Sequence, residues 1–217
     1  MPGPVPPPAP IPSAVPSTRE RILDVAEALF AEQGFAGTSV RDIAAAAGLT
    51  AASLYNHFDG KEALYEAVLE RGIRPLVVLM QGRAGGEPAD ETAAELVGAV
   101  MEHLRRRPHL PRLISHEALT GGAHLARLAR DWVMPLLHYG TAEMKRGPSP
   151  WDADEYPLVI AAWIHLLLGH FTMAPLFREV LDEDPLAPRL LERQTRFLQK
   201  LARILASGPI RRSPPSR

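Results

Sequence analysis

Between Thr50 and His57 the chain gathers side chains that both donate and accept hydrogen bonds: Thr50, Ser53, Tyr55, Asn56 and His57. Hydroxyls and a phenol settle readily on phosphate oxygens. The Asn56 amide sets a donor beside an acceptor, the pair that matches the adenine edge in a major groove, which makes it the best base reader of the group. A second set, His103, His138, His165 and His170 with Glu117, holds residue types of a metal or proton-transfer site. Its spacing argues against one. Neither Glu-x-x-His nor His-Glu-x-x-His occurs, so helical carboxylate-bridged and zincin-type sites lack their local pattern. There is no glycine-rich phosphate loop and no nucleophile motif either, which leaves an all-helical enzyme without its parts. No metal and no cofactor is expected.

The recognition set needs a short, firmly seated helix beneath it. Thr50 can cap such a helix, and Ala51, Leu54, Tyr55 and Phe58 fall on one side of it, leaving Ala52, Ser53, Asn56 and His57 on the other. Leu54 and Phe58 then anchor inward. Tyr55 reads two ways, as core by its aromatic spacing or as a phosphate contact by its phenol. A helix starting at Thr38-Ser39 precedes this one, with Val40, Ile43, Ala44 and Ala47 as its apolar face and Gly48 as its end. The alanines at 44–47 allow close helix approach and Gly48 frees the turn, so the pair reads as a helix-turn-helix. Before it, Ser17 and Glu20 make a capping box for a helix carrying Ile22, Val25, Ala26, Leu29 and Phe30, stopped by Gly34. After it, Asp59 with Glu62 makes another capping box, for a fourth helix through Leu64, Tyr65, Val68 and Leu69 that Pro75 should kink or end.

Further helical segments are expected over 91–107, 111–119, 123–145, 154–177 and 188–206, with a loop at 82–90 and no strand-like alternation, so the fold class is all-α. The expected organisation is a disordered proline-rich leader (1–16), a helix-turn-helix domain (17–75), a helical domain (76–206) and a disordered tail (207–217). With no cysteine, disulfides and thiolate metal sites are excluded and a reducing, cytoplasmic setting is expected. The apolar run 158–168 carries His165 and is followed by Gly169 and His170, too short for a bilayer; it is expected to be a buried helix, with no membrane partner. The net charge is −1, yet residues 18–72 hold five cations against nine acids. DNA affinity there must come from a few well-placed cations with the acids turned elsewhere. A protein-interaction adaptor is the alternative that this balance favours.

The ordered run Thr38-Ser39-Val40-Arg41-Asp42-Ile43-Ala44, Ala47-Gly48-Leu49, Ser53-Leu54-Tyr55-Asn56-His57-Phe58 and Lys61-Glu62-Ala63-Leu64 resembles the DNA-binding signature of the TetR family of transcriptional regulators. The resemblance spans residues 18–69. It implies an N-terminal three-helix helix-turn-helix domain followed by a helical ligand-sensing and dimerisation domain, in a homodimeric repressor of double-stranded operator DNA. It also implies phosphate contacts from Thr38, Ser39, Arg41, Tyr55, His57 and Lys61, and base contacts from Thr50, Ala51, Ala52, Ser53 and Asn56. Members often carry lysine or proline, then glycine, where this chain has Ala51-Ala52, so a base preference does not transfer.

The last helix shows Leu190, Gln194, Phe197, Leu201 and Ile204 on one stripe with Leu191, Leu198 and Leu205 beside it, wide enough for core and partner together. The segment 158–171 is apolar nearly all round and must be covered on both sides. The resemblance implies that these two helices pair with their symmetry mates in a four-helix bundle. It implies as well a pocket for a small-molecule effector, with Trp132, Met134, Leu137, Trp163, Leu167, Phe171 and Met173 as apolar or aromatic candidates. His103, Glu117, His138, His165 and His170 are its candidate polar fixtures; the same side chains could equally fill a core. The fourth helix is the expected lever between pocket and DNA.

Overall fold

A computed structural model describes residues 17–81, 89–122, 124–146 and 149–207. The expected leader, nearly all of the expected tail and most of the 82–90 loop lie outside the described residues. Every regular element among the described residues is a helix.

Local chemistry sets the first three. α1 (Thr18–Gly37) opens on the Ser17–Glu20 capping box: the Glu20 carboxylate accepts the Ser17 N–H at 2.8 Å and the Ser17 hydroxyl accepts the Glu20 N–H at 3.2 Å. Helical geometry breaks at Gly34, whose φ of 72° favours glycine, and the last residues of α1 form a separate turn. α2 (Val40–Ala46) repeats the device with Ser39 and Asp42, and α3 (Ala51–Tyr55) is capped by Thr50. The fourth start differs from expectation. α4 (Lys61–Gln81) begins with the Leu64 N–H bonded to the Gly60 carbonyl at 3.1 Å, so Gly60, not Asp59, stands at its head. Pro75 does not end it: the proline is exposed and forfeits a single backbone bond, while Leu69, Gly72 and Ile73 keep the inner face packed.

α5 (Ala89–Arg106), α6 (Leu110–Thr120), α7 (Leu125–Leu128), α8 (Met134–Met144), α9 (Tyr156–Thr172), α10 (Ala174–Val180) and α11 (Pro188–Ala206) follow. Two long helices expected from the sequence are each divided. A π-helical turn, Ala129–Val133, separates α7 from α8. α9 and α10 meet at 59°. Pro175 in the first turn of α10 has no N–H and would clash with the Phe171 carbonyl in a continuous helix, which explains the break. No single helix among the described residues is long and apolar enough to cross a membrane.

α5 and α11 form the most extensive pair; α1 packs on α4 and α6, α6 on α9, and α8 on α4 and α9. One apolar core runs unbroken from Ile22, Phe30 and Leu54 through Tyr65 and Val68 to Met101, Leu110, Leu113 and Leu198. α4 and α6 approach so closely at Gly72 that a Cβ there would fall 2.5 Å from Leu110 Cδ1. Within the single chain α9 is covered on one side only: Leu158 and Leu166 are exposed, and so are Phe197 and Ile204 on α11.

Candidate nucleic-acid interface

The recognition helix is seated as its pattern requires. Leu54 and Phe58 are buried, which leaves Ala52, Tyr55, Asn56 and His57 exposed beside the half-buried Ala51 and Ser53. The helix is short: its α-helical span ends at Tyr55, and Asn56 and His57 form the following turn, with the His57 and Phe58 N–H groups bonded to the Leu54 carbonyl at 2.9 and 3.1 Å. Asn56 and His57 thus stand at the exit of the helix. Tyr55 is 54% exposed, which decides between its two readings against the core. The Thr50 hydroxyl accepts the Ser53 N–H at 3.1 Å and lies 3.0 Å from the Ser53 hydroxyl, so this pair is already ordered.

Ser39 and Arg41 are exposed at the start of α2. The Ser39 hydroxyl donates to Asp42 at 2.6 Å, and that bond, followed by the Ser39 N–H, holds the Asp42 carboxyl below its ordinary range. Thr38 is a correction. It is 1% exposed, and its hydroxyl donates to the Gly34 carbonyl at 2.9 Å and the Leu29 carbonyl at 3.3 Å. Its side chain ties down the turn after Gly34 and is not free for a phosphate. The Lys61 ammonium lies 4.3 Å from the centroid of the Phe35 ring, and the Arg19 guanidinium 4.9 Å from that of Phe58. Arg19 escaped the sequence reading because it stands far in sequence from the recognition helix whose anchor it covers.

The acids of this domain are largely committed. Glu20 and Asp42 serve capping boxes. Asp24 and Glu27 are held by Arg71 at 2.7 and 2.9 Å, Glu27 also by Arg107 at 2.8 Å, Glu70 by Arg74 at 3.2 Å and Glu66 by Arg127. Three of these cations, Arg74, Arg107 and Arg127, come from outside residues 18–72, so the acid excess of that segment is offset by the rest of the chain.

The candidate effector residues do not converge on one point. His103 Nε2 is 2.6 Å from the Gly72 carbonyl, a bond that fastens α5 to α4. Glu117 is buried on α6; its Oε1 accepts the Tyr65 hydroxyl at 2.6 Å, and its Oε2 has no hydrogen-bond partner. Burial first, then the bond to Glu117 and its charge, raise the Tyr65 phenol above its usual range. Trp132, Trp163 and Leu167 are half-buried against the core and Phe171 is buried, so these fill interior space. Met134, 61% exposed, and His138 and His165, also exposed, are corrections to the expected lining, as is exposed Met173. The π turn before α8 resets its face and carries Met134 and His138 outward. Open clefts of about 400 Å³ between α5 and α11 and about 610 Å³ between α1 and α4 are lined by neither Trp132 nor Trp163.

His170 stacks edge-on against Phe171 at 5.4 Å, and burial lowers its pKa, opposed by a bond to the Pro185 backbone. A histidine that protonates less readily when folded loses its stabilising contribution as pH falls through and below its ordinary value of 6.5. The melting temperature of His170→Phe is therefore expected to drop less than that of the parent when pH is lowered from about 7.5 to about 5.5. Equal drops in melting scans at the two pH values would show that His170 does not carry this acid sensitivity.

The model of the family described as "Bacterial regulatory proteins, tetR family" matches residues 22–68, which span the core of α1, both helices of the helix-turn-helix and the start of α4. The matched segment is of the TetR type. The HTH-type transcriptional repressor KstR2 of Rhodococcus jostii (strain RHA1) is 53% identical over 51 residues, 24% of this chain and 25% of that protein. The regulator AcrR of Shigella flexneri is 36% identical over 106 residues, 46% of this chain and 49% of that protein. The chain thus matches a quarter to a half of the length of these relatives. The structure of the ketosteroid transcriptional regulator KstR2 of Mycobacterium tuberculosis superposes with a TM-score of 0.67 at 22% identity, over 87% of this chain and 94% of that one. That likeness extends the TetR-type fold, a helix-turn-helix domain followed by a helical C-terminal domain, to nearly all of the chain.

Proposed function

We propose that this chain is a transcriptional repressor that binds double-stranded operator DNA as a homodimer in the cytoplasm, with no catalytic step, and is released by a small apolar or aromatic effector. The carrying observation is the exposed set Tyr55, Asn56 and His57 on a helix seated by buried Leu54 and Phe58, inside the segment that matches the TetR-family model. Residues 17–75 would hold the DNA and residues 76–206 the effector and the partner subunit. The exposed side chains of α9 and α11 support the dimer, since two recognition helices must stand about 34 Å apart, or a multiple of it, to read a palindrome. An effector acts only through its differential affinity for two arrangements of the domains. Glu117, buried on α6 and bonded to Tyr65 on α4, supports a link between the helical domain and the DNA-binding helices. α1 also packs directly on α6, so α4 need not be the only lever. The likeness to KstR2 in sequence lies in the DNA-binding segment and carries nothing about the effector.

Gel shifts on the DNA upstream of the chain's own gene test the assigned face. Asn56→Ala is expected to weaken binding by about 1–3 kcal/mol, mainly against the correct base. Lys61→Ala should weaken binding on all sequences alike. If both variants bind as the parent does, the face is wrongly assigned.

A further inference from the structure

An aromatic cluster joins the two halves of the chain at one place. Phe30 and Phe35 of α1 meet Tyr65 of α4 with ring centroids 4.9 and 5.0 Å apart. His124, at the head of α7, lies 4.8 Å from Phe35 and 4.6 Å from Tyr65. The cluster is clamped to α6 twice: the Tyr65 hydroxyl donates to Glu117, and Gly34 presses so closely on His116 that a Cβ there would fall 2.6 Å from the imidazole Cε1. Phe35 is also the ring beneath the Lys61 ammonium. A single half-buried side chain therefore touches a cation at the head of α4 and a histidine that belongs to the C-terminal helices.

We propose that Phe35 and His124 are positioning residues for DNA binding: the C-terminal helices set where Lys61 stands by way of the Phe35 ring. A lysine on its flexible stem samples many rotamers and must give them up to grip a phosphate. The negative face of an aromatic ring attracts the ammonium and narrows that choice in advance, while leaving N–H donors for the phosphate. The Phe35 ring is packed edge-on by His124 and Tyr65, so a displacement of His124 at the head of α7 moves the ring and with it the cation. This rests on the reading of Lys61 as a phosphate contact. The bland reading of the same cluster is packing between domains, which would affect stability and leave the number of phosphate contacts unchanged.

The salt dependence of operator binding separates the two. With the full-length protein, Kd is measured against KCl concentration for the parent, Lys61→Ala, Phe35→Leu, Phe35→Tyr, His124→Leu and the double variant Phe35→Leu/Lys61→Ala, each checked for folding by circular dichroism. Lys61→Ala is expected to flatten the log–log slope by about 0.9 per bound subunit. Phe35→Leu should flatten it by at least half as much and weaken binding roughly two- to five-fold at fixed salt, the range that a solvent-accessible cation–π contact supplies. Phe35→Tyr should keep the parental slope, the double variant should lose no more than Lys61→Ala, and His124→Leu should follow Phe35→Leu. A second readout needs no DNA. The chain has three lysines, and the ring-current shift of the Lys61 Hε protons should be present in the parent and in Phe35→Tyr, and reduced in Phe35→Leu and His124→Leu. Parental slopes and an unchanged Lys61 shift in Phe35→Leu and His124→Leu, with Lys61→Ala flattened, would overturn the positioning role while sparing the DNA face. A parental slope in Lys61→Ala would overturn both.

Discussion

A chain carrying Phe197→Glu is expected to sediment as a folded monomer and to lose its affinity for a palindromic operator. Phe197 is 59% exposed on the outer side of α11, together with Ile204, and Leu158 and Leu166 project from α9. In the proposed dimer these exposed apolar side chains are the ones that the second subunit would cover. Truncating a well-packed aromatic at an interface centre costs about 2–4 kcal/mol. A buried, unpaired carboxylate adds several more, so the dimer should weaken by roughly a thousandfold or beyond. The neighbouring Leu198→Glu should behave differently. Leu198 is 1% exposed and belongs to the core beneath α11, so a charge there should unfold the subunit instead of separating the pair. Sedimentation at micromolar concentration with circular dichroism on both variants distinguishes these outcomes. A parent that sediments as a monomer, or a Phe197→Glu protein that remains a dimer, would remove α11 from the interface.

Arg71→Met should lower the stability of the subunit by about 3 kcal/mol. Glu27 is a carboxylate 4% exposed on α1, and its charge is held by Arg71 of α4 at 2.9 Å and by Arg107, between α5 and α6, at 2.8 Å. Arg71 reaches Asp24 as well, at 2.7 Å. Removing Arg71 leaves a desolvated carboxylate with half its compensation, and it is this abandoned charge, more than the lost attraction, that destabilises. The reverse change should be milder. Glu27→Leu leaves two guanidiniums that retain some contact with water, and about 1–2 kcal/mol is expected. The double variant should recover part of the Arg71→Met loss. Urea unfolding of the three proteins measures all of this, and an Arg71→Met midpoint equal to the parent's would show that Arg107 alone neutralises Glu27.

These two cases also mark what could be read from the chain before its structure. Ser17 with Glu20, the helix start at Thr38-Ser39 and the cap at Thr50 were legible because each cap closes over three residues, where spacing is geometry. Leu54, Phe58 and the exposed Asn56 and His57 were legible for the same local reason. α11 was legible to its ends, because Pro188 starts it and a strong apolar stripe sustains it. Glu27 was not, since its partners lie 44 and 80 residues away. Thr38 looked like a phosphate contact, and only the left-handed turn at Gly34 brings a carbonyl within reach of its hydroxyl. Phe197 and Leu198, adjacent on one broad stripe, could not be divided between core and partner until α5 was in place against α11. Pro75 and Pro175 carry the same local signal with opposite outcomes. The first lies on an exposed face of α4 whose far end is still tied to α8 by the Gln81–Tyr139 hydrogen bond, and the second where α10 can turn away.

The π turn at Ala129–Val133 gives the run from α7 to α8 a spare residue. Such a turn holds one residue more than an α-helical turn while covering nearly the same rotation, so deleting a single residue within it would restore continuous α geometry and leave α8 facing α4 and α9 as it does now. The same deletion inside α8 has no slack to take up and would rotate every later residue by about 100° about the helix axis. One lost codon would thus be silent or disruptive according to which side of Met134 it falls on. Variation in length would then be sought at this turn, and variation in what the domain accommodates in substitutions along α8.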